Sequence, residues 1–67
     1  MIKFNAKQAK SLRNSFGYTQ QYVANYLNCT KSGYCYIEQG KRQPSVEKLG
    51  KLSQLYNIST DELIQKC

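Results

Sequence analysis

Between Thr19 and Ser45 the chain reads TQQYVANYLNCTKSGYCYIEQGKRQPS, and this stretch restricts the fold more than any other. Thr19 and Thr30 each stand just before a short run with helical periodicity, where a hydroxyl can accept from the free N–H groups of a first turn. Only Asn28, Cys29 and the cap Thr30 separate the first run, which extends to about Leu27, from the second, about Lys31 to Gln39. A tight turn between crossed helices often needs left-handed backbone, and Asn tolerates that conformation better than most residues. Val23, Ala24 and Leu27 form the inner edge of the first run, and the short side chain of Ala24 lets the next helix approach closely.

The same punctuation divides the rest of the chain into further helices. Asn5 can cap a helix over about Ala6 to Phe16, with Gly17 as its stop and Ala9, Leu12 and Phe16 as its buried face. Gly40 ends the third helix, and Gln43-Pro44 breaks the chain. Ser45 caps a fourth helix from Val46 to about Tyr56, whose apolar stripe is Val46, Leu49, Leu52, Leu55 and Tyr56 and whose end is Asn57. Ser59 and Glu62 have the spacing of a capping box ahead of Leu63 and Ile64, which predicts a short fifth helix. The expectation is an all-α, compact five-helix bundle forming one domain over residues 1–67, with its core at about residues 6–66.

The charge is unevenly spread. Residues 1–42 carry seven Lys and Arg against the single acid Glu38 and so hold the whole net charge of +6; the remainder is balanced. A basic half points to a polyanion such as nucleic acid, although a solvated cationic surface has the same composition. Histidine is absent, and Cys29, Cys35 and Cys67 have no metal-ligand spacing, so no metal, cofactor or small-molecule ligand is expected. Cys29 is expected to pack as a small hydrophobe, and Cys67 to be an incidental reactive thiol. No nucleophile–base pair or phosphate loop is evident, so an enzyme is not expected. No segment approaches the ~20 apolar residues of a membrane span. The opening MIKFNAKQAK lacks the apolar run of a secretory leader, which makes the cytoplasm the expected compartment.

At about 100° per residue, Tyr34, Ile37 and Glu38 fall on one side of the third helix, and Lys31, Ser32, Cys35 and Tyr36 on the other. The first side suits the core. The second suits a DNA groove: Lys31 can donate to guanine or phosphate, Ser32 can donate or accept, and Tyr36 offers a ring to a thymine methyl and a hydroxyl to an acceptor. Thr30 stands at the helix start, where backbone amides attract phosphate. Gly33 suggests close approach by another backbone, since glycine costs about 1 kcal/mol inside a helix. Glu38 on the inward edge needs a partner, for which Arg13 is the best placed and Lys41 the alternative. Gln20 can hold a phosphate oxygen at the start of the second helix, and Lys41 and Arg42 can grip the backbone beyond the third. Tyr22 and Tyr26 lie on the outward side of the second helix.

Gly17-Tyr18-Thr19-Gln20, Val23-Ala24, Leu27, Thr30, Ile37-Glu38, Gly40-Lys41, Pro44-Ser45 and Leu49 together resemble the helix-turn-helix domain of phage repressors and Cro proteins, the XRE-type family. The match covers about residues 9–64. It implies a lambda repressor-like five-helix bundle, encoded by a bacterium or phage and associated with the nucleoid, that binds double-stranded operator DNA as a symmetric dimer. It places the recognition helix at Lys31 to Gln39. It assigns DNA contacts to Gln20, Thr30, Lys31, Ser32 and Tyr36, phosphate contacts to Lys41 and Arg42, and a structural ion pair to Arg13 and Glu38. Tyr18 and Tyr34 depart from the usual aliphatic core residues, and Asn28 from the usual turn glycine. Gly33 and Tyr36 depart from the usual polar residues, so base preference cannot be copied from relatives.

The expected function is sequence-specific DNA binding in transcription regulation, with repression as the mode and a weak homodimer, through Leu63 and Ile64, forming on DNA. The rival is a helical protein-interaction module, an antitoxin-like or anti-repressor partner with the same fold, motivated by Tyr22, Tyr26 and Tyr36.

Overall fold

A computed structural model describes residues 2–66 of the chain; Cys67 lies outside them. In order, the elements are β1 (Ile2–Phe4), α1 (Ala6–Phe16), α2 (Gln20–Tyr26), α3 (Lys31–Glu38), α4 (Val46–Tyr56), a 3-10 turn (Thr60–Leu63) and β2 (Ile64–Lys66). Each α-helix starts where a short polar side chain can cap it. Asn5, Thr19, Thr30 and Ser45 accept from the N–H groups of Gln8, Tyr22, Gly33 and Lys48 respectively, at 3.0–3.2 Å. The stops are local too. Gly17 (φ 75°), Gly40 (φ 80°) and Asn57 (φ 55°) adopt left-handed backbone. After α1 and α3 this lets the next amide return to the last turn, Tyr18 N–H donating to Arg13 O and Lys41 N–H to Tyr36 O, both at 3.0 Å. Asn28 is left-handed as well (φ 59°), and Cys29 N–H donates to Ala24 O at 2.9 Å, which folds α3 back across α2.

Ala9, Val23, Ala24, Leu27, Tyr34, Ile37, Leu52, Tyr56 and Leu63 make up the core together with Phe4, so the core reaches beyond residue 6 toward the N-terminus. Cys29, Tyr18, Leu12, Leu49 and Leu55 pack partly buried against it. Tyr34 is fully enclosed, so one aromatic ring fills space that an aliphatic chain would leave open.

Three expectations fail. The fifth helix is absent: Ser59 makes no side-chain cap bond, the chain manages one 3-10 turn, and then it becomes a strand. Isolated short helices are marginal, whereas β1 offers unpaired backbone, and the two strands pair antiparallel with Lys3 opposite Gln65 and Phe4 opposite Ile64. Asn5 N–H continues the ladder to Leu63 O at 2.8 Å. Among the described residues the α-helices number four, with a two-stranded sheet closing the ends of the domain together. Leu63 is fully buried inside the fold, so it cannot be the dimer contact expected of it. Phe16 and Val46 do not join the core: they are 47% and 87% exposed. Val46 is the first residue of α4, ahead of the turn that meets the core. Phe16, the last residue of α1, projects past the core and packs edge-on against Tyr56, ring centroids 5.2 Å apart.

Candidate nucleic-acid interface

Burial of one side of α3 fixes what the other side presents. Tyr34, Ile37 and Glu38 are buried, leaving Lys31, Ser32 and Tyr36 exposed and Gly33 and Cys35 half-buried on the flanks. Gln20, from the first turn of α2, joins Lys31, Ser32, Cys35 and Tyr36 around one shallow depression. The tight turn at Asn28 and Cys29 therefore brings together five residues from two helices. Cys35 Sγ accepts from Gln39 Nε2 at 3.2 Å. The Thr30 oxygen is committed to the cap, accepting from Gly33 N–H, but its hydroxyl proton remains free to donate.

The exposed face is held from behind by an ion pair. Arg13 Nε and Nη2 donate to Glu38 Oε2 and Oε1, each at 2.9 Å, in the bidentate geometry that suits a guanidinium and a carboxylate. Arg13 Nη1 also donates to Tyr18 O at 2.9 Å, so one side chain ties α1, the α1–α2 connection and α3 together. The alternative partner, Lys41, is not used. Gln20 Nε2 donates to Glu38 Oε1 at 3.4 Å. Its second amide hydrogen is then the one left for an external acceptor, and the expected phosphate contact is linked directly to the ion pair.

Burial alone would raise the Glu38 carboxyl, but hydrogen bonds from Arg13, its charge and the nearby Tyr34 and Gln20 outweigh burial and hold it below its ordinary value of 4.5. The hydrogen bond to Glu38 raises Arg13 in turn. The Tyr34 and Tyr56 hydroxyls are buried without a partner of normal hydrogen-bond geometry. Burial, then the charge of Glu38, pushes Tyr56 up to about 12, and burial pushes Tyr34 up further. A depressed carboxyl stabilises the fold above that ordinary value, which it has when unfolded, and loses the contribution as pH falls through the folded value. Thermal melts between pH 6 and 3 should therefore show stability declining on the acid side. Glu38→Gln should start less stable and decline less steeply; an identical acid slope in the two proteins would remove Glu38 from this role.

Lys41 and Arg42 are exposed in the loop after α3. Arg42 lines a cleft with Thr30, Gly33 and Lys48, between the start of α3 and the start of α4. Lys48 was not expected at the site because it belongs to the electrically balanced half of the sequence. The only local signal was its place one turn after the Ser45 cap. Gln43 was missed as well: its Oε1 accepts from Phe4 N–H at 2.9 Å and pins the loop that carries Lys41 and Arg42 to β1. Gly33 does not admit another backbone. A Cβ there would meet Thr30 Oγ1 at 3.2 Å and Arg42 Nη1 at 3.9 Å, both side-chain atoms.

Two helices crossed at a left-handed turn, the second with a buried side and a polar, cationic side, form a helix-turn-helix. The HTH_3 helix-turn-helix family model matches residues 10–63. The chain belongs to this helix-turn-helix family. Its kind is the XRE, phage repressor-like domain. The domain is 41% identical over 59 residues to the SPbeta prophage-derived uncharacterized HTH-type transcriptional regulator YonR of Bacillus subtilis (strain 168), covering 88% of this chain and 55% of YonR. It is 42% identical over 60 residues to the HTH-type transcriptional regulator ImmR of the same organism, covering 90% of this chain and 47% of ImmR. It thus spans about half the length of these relatives. A transcriptional regulator from Listeria innocua superposes with a TM-score of 0.86 at 26% identity, over 97% of this domain and 64% of that chain. The restriction-modification controller protein C.AhdI from Aeromonas hydrophila shares the fold, with a TM-score of 0.76 at 24% identity over 85% of this domain and 86% of that chain. Among the described residues no helix is long and apolar enough to cross a membrane.

Proposed function

We propose that this domain binds double-stranded DNA sequence-specifically, with α3 in the major groove, and regulates transcription, chiefly by repression. The observation that carries the reading is the joint presentation of Lys31, Ser32, Cys35, Tyr36 and Gln20 on one open surface whose far side is locked by Arg13 and Glu38. Thr30, Lys31, Ser32 and Tyr36 read base edges. Gln20 and Lys41 fix the register by holding phosphates. The relatives described as transcriptional regulators support it. A single domain of this size offers few base contacts, so specificity requires two copies on half-sites about one helical turn apart.

Selection of bound duplexes from a random pool tests this directly, with enrichment of a two-fold symmetric site expected and no enrichment counting against it. Variants separate the roles. Lys31→Ala and Tyr36→Ala should each lose about tenfold in discrimination at particular base pairs. Lys41→Ala should weaken all sequences alike. If all three bind like the parent, α3 is not the reading helix.

A second reading, a protein-binding module, draws on exposed aromatics. Tyr22, Tyr26 and Tyr36 are 50%, 39% and 49% exposed, and the rings of Phe16, Tyr18 and Tyr22 run in contact at 5.6 and 4.6 Å.

A further inference from the structure

Gly33 lies in the first turn of α3, and its backbone is not left-handed, so no turn requires glycine there. Helix propensity disfavours it by about 1 kcal/mol relative to alanine. Two side chains border the missing one: the capping Thr30 Oγ1, 3.2 Å from where a Cβ would be, and, in ordinary contact at 3.9 Å, the guanidinium Nη1 of Arg42. Arg42 leaves the loop after α3, yet its head has come back over the beginning of that helix. A side chain longer than that of alanine at position 33 would compete for the same space.

A cation standing over the first turn of α3 is placed differently from one extended away from the helix to grip the DNA backbone. The N-terminal turn of a groove-bound helix is the part that comes nearest to base edges. A guanidinium there presents a planar fork of donors, which matches the O6 and N7 acceptors of guanine. No carboxylate lines the cleft among the described residues, and the only described ion pairs are Arg13–Glu38 and Lys51–Glu47, so the fork has no internal anion to occupy it. Lys48, in the same cleft, adds a second cation suited to the phosphate alongside.

Resting on the DNA-binding reading above, the geometry points to Arg42 as a base-reading residue: with no side chain at Gly33, its guanidinium can stand at the flank of the recognition face, 3.9 Å from the vacant Cβ position, where it takes a guanine edge in place of the side chain that position 33 lacks. This moves Arg42 from register to specificity and makes Gly33 a specificity-determining position through what its absence of a side chain admits.

The test is selection from random duplexes with the parent, Arg42→Lys, Arg42→Ala and Gly33→Gln, each confirmed as folded by circular dichroism. Arg42→Lys keeps the charge but not the fork. Both Arg42 variants should drop one guanine preference of the parent site by about tenfold while keeping the others. Gly33→Gln, which fills the seat, should alter preference at that same base pair. If both Arg42 variants select the parent site unchanged with a uniform loss of affinity, Arg42 grips phosphate and the inference fails while DNA binding stands. If the parent itself enriches no duplex, the DNA-binding reading fails and this inference goes with it.

Discussion

Replacing Arg13 by alanine should destabilise the domain by about 3 kcal/mol, because removing one partner of a buried ion pair leaves the other charge uncompensated. The Glu38 side chain is 3% exposed and cannot recover its hydration where it stands. The loss is larger than one ion pair implies, since the same guanidinium also satisfies Tyr18 O. A chain of 67 residues has a total stability of only about 3–10 kcal/mol. At about 4–8 °C per kcal/mol for a domain this small, the melting temperature should fall by more than 10 °C. Arg13→Lys should lie between, keeping a charge but not the three-donor geometry. Replacing both partners with apolar residues of similar volume should recover much of the loss. A melting temperature unchanged in Arg13→Ala would show that the pair holds nothing together.

Affinity for duplex DNA should collapse as salt rises. Each phosphate neutralised by a lysine or arginine releases condensed counterions, and the logarithm of the binding constant falls with a slope of about 0.9 per contact. Lys41 is exposed in the loop after α3, and Lys48 lines the cleft beside Arg42. Two such cations would lower affinity about 12-fold between 50 and 200 mM salt, and two copies on a symmetric site about 150-fold. Removing Lys41 should reduce the slope by about one per copy. A protein interface built on Tyr22, Tyr26 and Tyr36 would show little of this dependence. A flat salt profile therefore favours the interaction-module reading over DNA binding.

The features that were legible in advance are those whose cause lies within a turn or two of the residue concerned. Asn5, Thr19, Thr30 and Ser45 bond to amides three residues on, so their role is visible wherever they precede an apolar periodicity. Asn28 was readable because few residues accept its backbone conformation. The Arg13–Glu38 pair is longer in range but follows from the helical phase of a lone acid on an inward edge. Phe16 and Val46 misled for one shared reason: periodicity says which side of a helix is apolar, but not where along its length the core stops.

The sequence by itself determined four capped helices, the sharp turn between α2 and α3, and the polar, cationic side that α3 shows to solvent, because hydrogen bonds within a turn and a 3.6-residue repeat need no knowledge of distant chain. Only the tertiary structure decided that the segment after Ser59 becomes a strand against β1, that Leu63 is buried, that Gln43 holds the loop to β1, and that Arg42 lies over Gly33. Those outcomes depend on which backbone or side chain from elsewhere in the chain arrives alongside, and a partner 39 residues away, as between Gln43 and Phe4, leaves no local trace in either segment.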